Sequence, residues 1–122
     1  MSGVLVWVGV GVLGGCGALA RVAVGAAVAR HIRTDFPIGT LAVNLSGSAL
    51  LGLLAGIELT GDGRLLAGTA VLGSYTTFST WMLESQRLAA YGRWRAFALN
   101  VLGSLLLGVT AIVLGRAIGR VL

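Results

Sequence analysis

The sequence predicts an all-α integral membrane domain of four transmembrane helices, the third broken in mid-membrane. Three observations carry this. The chain of 122 residues has a mean hydropathy of +0.95 and only 11% charged residues, against roughly a quarter in soluble domains. It contains four apolar stretches, about 4–28, 38–59, 65–83 (extending toward 90) and 96–114, each near the ~20 residues that a bilayer-spanning helix needs. Only short polar connections separate them, so residues 1–122 form a single four-helix transmembrane domain with no room for a soluble one. Finally, the third stretch contains Gly73-Ser74-Tyr75-Thr76-Thr77-Phe78-Ser79-Thr80-Trp81. Hydrocarbon offers no partners for such polar groups, so the segment must face protein, water or an ion.

The first span carries many glycines. Gly11 and Gly15 form a small-xxx-small pair expected to let helix backbones approach closely. The lone cysteine, Cys16, lies among them as a packing residue, and no intramolecular disulfide is possible. Arg21 lies well inside the span. An intramembrane arginine marks a functional site by default, although near a span end it could also snorkel to the interface. The span lacks a basic n-region and exceeds the length of a signal-peptide core, so it is expected to stay in the mature protein.

His31, in the connection Arg30-His31-Ile32-Arg33-Thr34-Asp35, reads as a solvated loop residue. Pro37 opens the second span, where its missing N–H is not needed. Ser48, Gly52 and Gly56 recur every four residues and make one small-residue packing stripe. Asn44 is the odd member of this span: interhelical glue and a ligand role are both open. Glu58, Asp62 and Arg64 read as solvated loop charges.

In the third span, Ser74, Thr76, Thr77, Ser79 and Thr80 are too many hydroxyls to be explained by back-bonding to the preceding turn. Gly73 supplies backbone freedom for a break, and broken membrane helices commonly expose carbonyls that bind a cation such as sodium. Phe78, Trp81 and Glu84, three apart, are expected to stack along one helical face. In the fourth span, Asn100, Ser104 and Gly108 form a polar-to-small stripe, read either as packing or as one wall of a pore.

The net charge is +5, from nine arginines and four acids. In a soluble protein this would suggest nucleic acid. Here the arginines mostly sit at span ends, as lipid-headgroup anchors. Arg64, Arg116 and Arg120 share the side of the N-terminus, whereas Arg30, Arg33, Arg87, Arg93 and Arg95 lie opposite. The bias is weak, so the chain is expected to insert both ways round. Four helices are too few to enclose a pore comfortably, and a chain inserted both ways could form an antiparallel, dual-topology homodimer with its path between subunits. Asn amides, hydroxyls and electropositive ring edges suit an anion, with Arg21 as attractor near an entrance. No metal cluster, nucleophilic triad or phosphate-cradling loop is visible, so an enzyme is not expected.

Three motifs resemble the Fluc (CrcB) fluoride channel family, and the resemblance covers the whole chain. Gly14-Gly15-Cys16-Gly17-Ala18-Leu19-Ala20-Arg21 is similar to that family's G-G-x-x-G-A-x-x-R region, with the glycines offset by a place. Phe36-Pro37-Ile38-Gly39-Thr40-Leu41-Ala42-Val43-Asn44 resembles F-P-x-G-T-L-x-V-N, and Gly73 to Thr80 resembles G-x-x-T-T-F-S-T. The resemblance implies a passive fluoride channel of a prokaryotic cytoplasmic (inner) membrane, an antiparallel homodimer with two pores and a central structural sodium. By that resemblance, the backbone carbonyls of Gly73 and Thr76 from both copies hold the sodium. Asn44 donates to fluoride, and Phe78 and the aromatic at 81 offer ring edges. The polar track continues through Thr77, Ser104 and Glu84, and Arg21 attracts anions at a vestibule. The family usually has Phe where this chain has Trp81; an indole keeps an electropositive edge, adds an N–H donor and is bulkier.

Two other readings fit parts of the chain. A four-span proton-coupled exporter of cationic drugs or guanidinium-like compounds would need an acid in the first span, which instead has Arg21. A non-transporting membrane scaffold would explain the glycine stripes but not the hydroxyl-rich third span.

Overall fold

The computed structural model describes residues 2–122, which are helical with no strands among them. Helix α1 spans Gly3–His31, its first turn closed by Ser2, whose Oγ accepts from Leu5 N at 3.3 Å. This is the bond that a serine N-cap supplies to an otherwise unpaired amide. His31 ends α1, exposed, with Nδ1 donating to Ala27 O at 2.7 Å. Helix α2 spans Ile38–Gly56 and begins directly after Pro37. The third stretch comprises two helices. Helix α3 covers 61–75 and is π-helical over Arg64–Leu72, and helix α4 spans Ser79–Ala90. Between them Thr76 is extended, with φ −78° and ψ 157°. Helix α5 runs Trp94–Arg120 and has a π-helical turn over Leu99–Gly103.

Three helices, α1, α2 and α5, are each long and apolar enough to cross a membrane. The stretch read as the third span does not form one such helix, because the extended residue at 76 divides it. The surface is what a lipid-facing bundle requires. Trp7, Val12, Leu19, Leu106, Val109 and Val113 are all well exposed, and a water-soluble protein rarely shows an apolar surface of this extent. The chain is a multi-pass membrane protein.

Glycines set the helix order by letting backbones touch. A Cβ on Gly52 or Gly56 would run into the carbonyls of Ile112 or Arg116, and one on Gly115 or Gly119 into those of Ala49 or Leu53. Parallel helices α2 and α5 are therefore in backbone contact, and the Ser48–Gly52–Gly56 stripe lies at the seam. Its partner is Gly115 and Gly119, whereas a Cβ on Gly108 would meet only the Ser48 hydroxyl, at 3.9 Å. On α1 the packing glycines are Gly14 and Gly17, against Ser74, Ala70 and Val71 of α3, together with Gly25 against Gly39 of α2. Gly11 and Gly15, expected to make such a contact, have nothing within 4 Å of an added Cβ. Spacing by four says that two small residues share a face; it does not say what that face meets.

The two ends of the bundle are marked by different contacts. Asp35, after α1, pairs with Arg93, before α5, at 3.2 Å, while Gly56 meets Arg116 at the other end of the bundle.

Candidate functional site

The interruption between α3 and α4 is held by side chains of α2. The Asn44 amide takes both backbone groups of Thr77: Nδ2 donates to Thr77 O at 2.9 Å, and Thr77 N donates to Asn44 Oδ1 at 2.9 Å. Two residues along each segment, the Ser46 and Tyr75 hydroxyls lie 2.8 Å apart, with Ser46 Oγ donating to Val43 O. Gly47, between them, lies beneath Thr76, where any Cβ would collide with the threonine methyl. Residues 75 and 77 are thus both tied to α2, and Thr76 between them is extended.

This tying redirects the helical amides. In a continuous α-helix Thr77 N–H would bond Gly73 O, and Thr80 N–H would bond Thr76 O. Instead Thr77 N bonds Asn44 Oδ1, and Thr80 N bonds Thr77 Oγ1 at 3.2 Å. The carbonyls of Gly73 and Thr76 are deprived of their regular donors, and a carbonyl so freed seeks another partner. Thr77 Oγ1 meanwhile starts α4 in the manner of an N-cap and donates to Thr80 Oγ1 at 3.2 Å.

A cavity of about 390 Å³ opens beside this point. Asn44, Gly73, Thr76, Thr77, Phe78, Trp81 and Ser104 all line it, among leucines and glycines of α2 and α5. Arg21 lines a second cavity of about 180 Å³, with Thr40, Thr77 and Thr80. Glu84 lines a third of about 200 Å³, with Thr34 and Thr40. Thr77 borders the first two and Thr40 the last two, so the three adjoin along one side of α4. The nine residues given site roles by the family resemblance fall in this chain of cavities, which spans two ends of a polar row rather than one pocket. Asn100, read as packing or pore wall, lines none of the three.

Three details differ from the sequence reading or add to it. Phe78 and Trp81 share the cavity of about 390 Å³, but Glu84 does not; its carboxylate accepts a bond from Thr40 Oγ1. Steps of three lag a helical turn by about 60° each, so Phe78 and Glu84 point about 120° apart. The Trp81 Nε1–H, the donor that an indole adds over phenylalanine, donates to Asn100 O at 3.0 Å. Asn100 is a buried bridging residue, 1% exposed, its amide donating to Ser85 Oγ at 2.8 Å. Ser46, Tyr75 and Ser85 were not singled out; their only sequence signal is a hydroxyl within an apolar span.

The site's donor character is clear. Asn44 keeps one Nδ2 hydrogen beyond its bond to Thr77. Among the described residues, Arg21 makes no ion pair or side-chain hydrogen bond. Phe78 is 70% exposed in the single chain and meets Trp81 edge-to-face, with centroids 5.8 Å apart and planes at 79°. Among the described residues there is no cluster of His, Cys, Asp and Glu that could hold a metal ion.

These features define a class: a small multi-pass helical membrane protein whose polar groups converge where one helix is interrupted. The family model described as CrcB-like protein, Camphor Resistance (CrcB), matches residues 8–116, and the chain belongs to that family. It is 51% identical over 120 residues to the "Fluoride-specific ion channel FluC 2" of Mycolicibacterium paratuberculosis, covering 98% of each chain. A Mycobacterium tuberculosis protein of the same name is 48% identical over 118 residues, covering 97% of this chain and 94% of that one. The "Fluoride-specific ion channel FluC" of Maridesulfovibrio salexigens is 41% identical over 114 residues, covering 89% of this chain and 90% of that one.

Proposed function

We propose that this protein is a passive, fluoride-selective channel of the cytoplasmic membrane that lowers the toxicity of cytoplasmic fluoride. Its working unit is an antiparallel, dual-topology homodimer with two pores. The observation that carries the reading is the convergence of Asn44, Thr77, Phe78, Trp81 and Ser104 on one cavity at the helix interruption. Amide, hydroxyl and ring-edge donors on apolar walls favour a small anion that needs close hydrogen bonds to replace its water. Names of relatives up to 51% identical support the choice of fluoride.

The interruption lies in mid-membrane in this reading, and an inverted second copy covers it. That copy also covers Phe78, which a single chain leaves exposed. The carbonyls of Gly73 and Thr76, two from each copy, would hold a structural sodium. Their fit to a hard cation rests on the amide redirection above, which leaves both oxygens without helical donors. Bound there, sodium would offset the oxygen dipoles facing each other across the dimer axis. Arg21 raises the local anion concentration near one entrance, and Thr40 and Glu84 continue the polar row toward an end of the bundle. No coupling site is needed. Hydrogen fluoride enters as a neutral acid and ionises inside, and the inside-negative potential drives the anion out.

The test is fluoride release from proteoliposomes under a potassium gradient with valinomycin, read by a fluoride electrode. Fluoride should leave while chloride stays. Silence in that assay would favour a scaffold, and drug-coupled proton flux an exporter; either would overturn the proposal.

A further inference from the structure

Behind the cavity lies a closed ring of hydrogen bonds that the ion path itself does not use. Trp81 Nε1 donates to Asn100 O at 3.0 Å, Asn100 Nδ2 donates to Ser85 Oγ at 2.8 Å, and Ser85 Oγ donates back to Trp81 O at 2.8 Å. Asn100 and Ser85 are 1% and 2% exposed and line none of the three cavities around the interruption. We propose that Asn100 and Ser85 are positioning residues for Trp81, locking its indole so that ring carbons rather than the N–H face the ion path. The proposal rests on the channel reading for its functional consequence, but its geometric half does not.

The argument is one of satisfaction and freedom. An indole has one polar donor, and in an apolar site that donor must find a partner. Left free, it would turn toward the anion and become a strong single ligand, which slows release from a conducting site. Here the π-helical turn at Leu99–Gly103 brings the Asn100 carbonyl to the N–H; a turn of this kind loosens the regular ladder and commonly marks functional positions. The Asn100 side chain then reaches across to Ser85, one turn beyond Trp81, and ties α5 to α4. The Ser85 hydroxyl accepts from Asn100 and donates to Trp81 O, so these two bonds reinforce each other. The edge-to-face contact with Phe78 transmits the fixed orientation of Trp81 to the second ring of the cavity. Trp81 thus keeps a ring edge toward the path, as phenylalanine would, with its extra polar atom bonded to protein.

The test uses the full chain with Trp7→Phe and Trp94→Phe, so that Trp81 is the only tryptophan and is excited selectively at the red edge, where tyrosine does not absorb. Time-resolved anisotropy of Trp81 in proteoliposomes should show a fixed ring. Asn100→Ala and Ser85→Ala should add a fast depolarising component, while Ser85→Thr, which keeps the hydroxyl, should not. Fluoride efflux should fall by roughly five- to tenfold in the two alanine variants, the loss expected when about one hydrogen bond of positioning is removed, and recover in Ser85→Thr. Should an alanine variant fail to fold, biosynthetic replacement of Trp81 by benzothienylalanine puts sulfur in place of the N–H and so removes the donor, and efflux should then fall to a similar extent. An unchanged ring in both alanine variants, or unchanged efflux with a freed ring or with the analogue, would overturn the proposal. Absence of any fluoride efflux from the unmodified chain would sink the channel reading alone, because the anisotropy comparison still tests the lock.

Discussion

Replacing Asn44 by alanine removes both bonds that fasten Thr77 to α2. The two are 2.9 Å long, and Thr77 is only 9% exposed, so water reaches the vacated groups poorly. Each bond contributes about 1 kcal/mol net, and leaving a buried N–H and C=O unsatisfied adds about 1–3 kcal/mol. Because the helix can partly re-form, with Thr77 N returning to Gly73 O, a total near 2–4 kcal/mol is expected. That return would also undo the extended geometry at Thr76 and close the carbonyl positions proposed for sodium. Unfolding of the reconstituted protein in graded SDS, with and without sodium, measures both effects. Asn44→Ala should be less stable by the stated amount and should lose any stabilisation by sodium. Asn44→Asp keeps the acceptor for Thr77 N–H but sets a carboxylate oxygen against Thr77 O, so it should lie between the two in stability. If Asn44→Ala unfolds within about 0.5 kcal/mol of the parent, the size of a neutral surface change, Asn44 does not hold the interruption and the reasoning fails.

Phe78→Ile removes an electropositive ring edge while keeping an apolar side chain, so fluoride efflux should stop with the dimer intact on gel filtration; unchanged efflux removes Phe78 from the path. Gly115→Leu must force α2 and α5 apart, costing upwards of the 1–3 kcal/mol typical of overpacking. Gly11→Ala, where the added carbon meets nothing within 4 Å, should leave SDS stability unchanged; equal effects of the two would refute the assigned seam. Asp35→Asn breaks the ion pair with Arg93, whose side chains are 82% and 47% exposed, so stability should change by less than about 1 kcal/mol and less still at high salt.

Much of the architecture could be read from the residues because bilayer solvation makes a simple demand. Val4 to Val28, and the apolar runs that became α2 and α5, are long and nearly free of charge, and such runs have one stable form in hydrocarbon. The Ser48–Gly52–Gly56 stripe was equally readable, since glycine in a span has few purposes besides close approach. Gly11 and Gly15 show the limit of that reading: within the single chain an added Cβ there meets nothing within 4 Å, because several glycine faces compete on α1 and the bundle selects Gly14, Gly17 and Gly25 for its own contacts. The candidate site was readable as a set of residues, because hydroxyls in an apolar span demand partners. Its bonding was not. That Asn44 reads the backbone of Thr77, and that Trp81 N–H is bonded to Asn100 O, depend on where a helix stops and on a π-helical turn, which shifts register by one residue. Neither leaves a periodic trace. Glu84 shows the limit of spacing arguments, since two steps of three carry it off the face shared by Phe78 and Trp81.

The central claim, that the donors at the interruption select fluoride and pass it without coupling, is tested most directly in planar bilayers containing the purified protein. With fluoride graded across the membrane against chloride of the opposite gradient, and with unequal pH, the reversal potential should follow fluoride alone. A potential that tracked chloride or protons, or a membrane with no current at all, would contradict it.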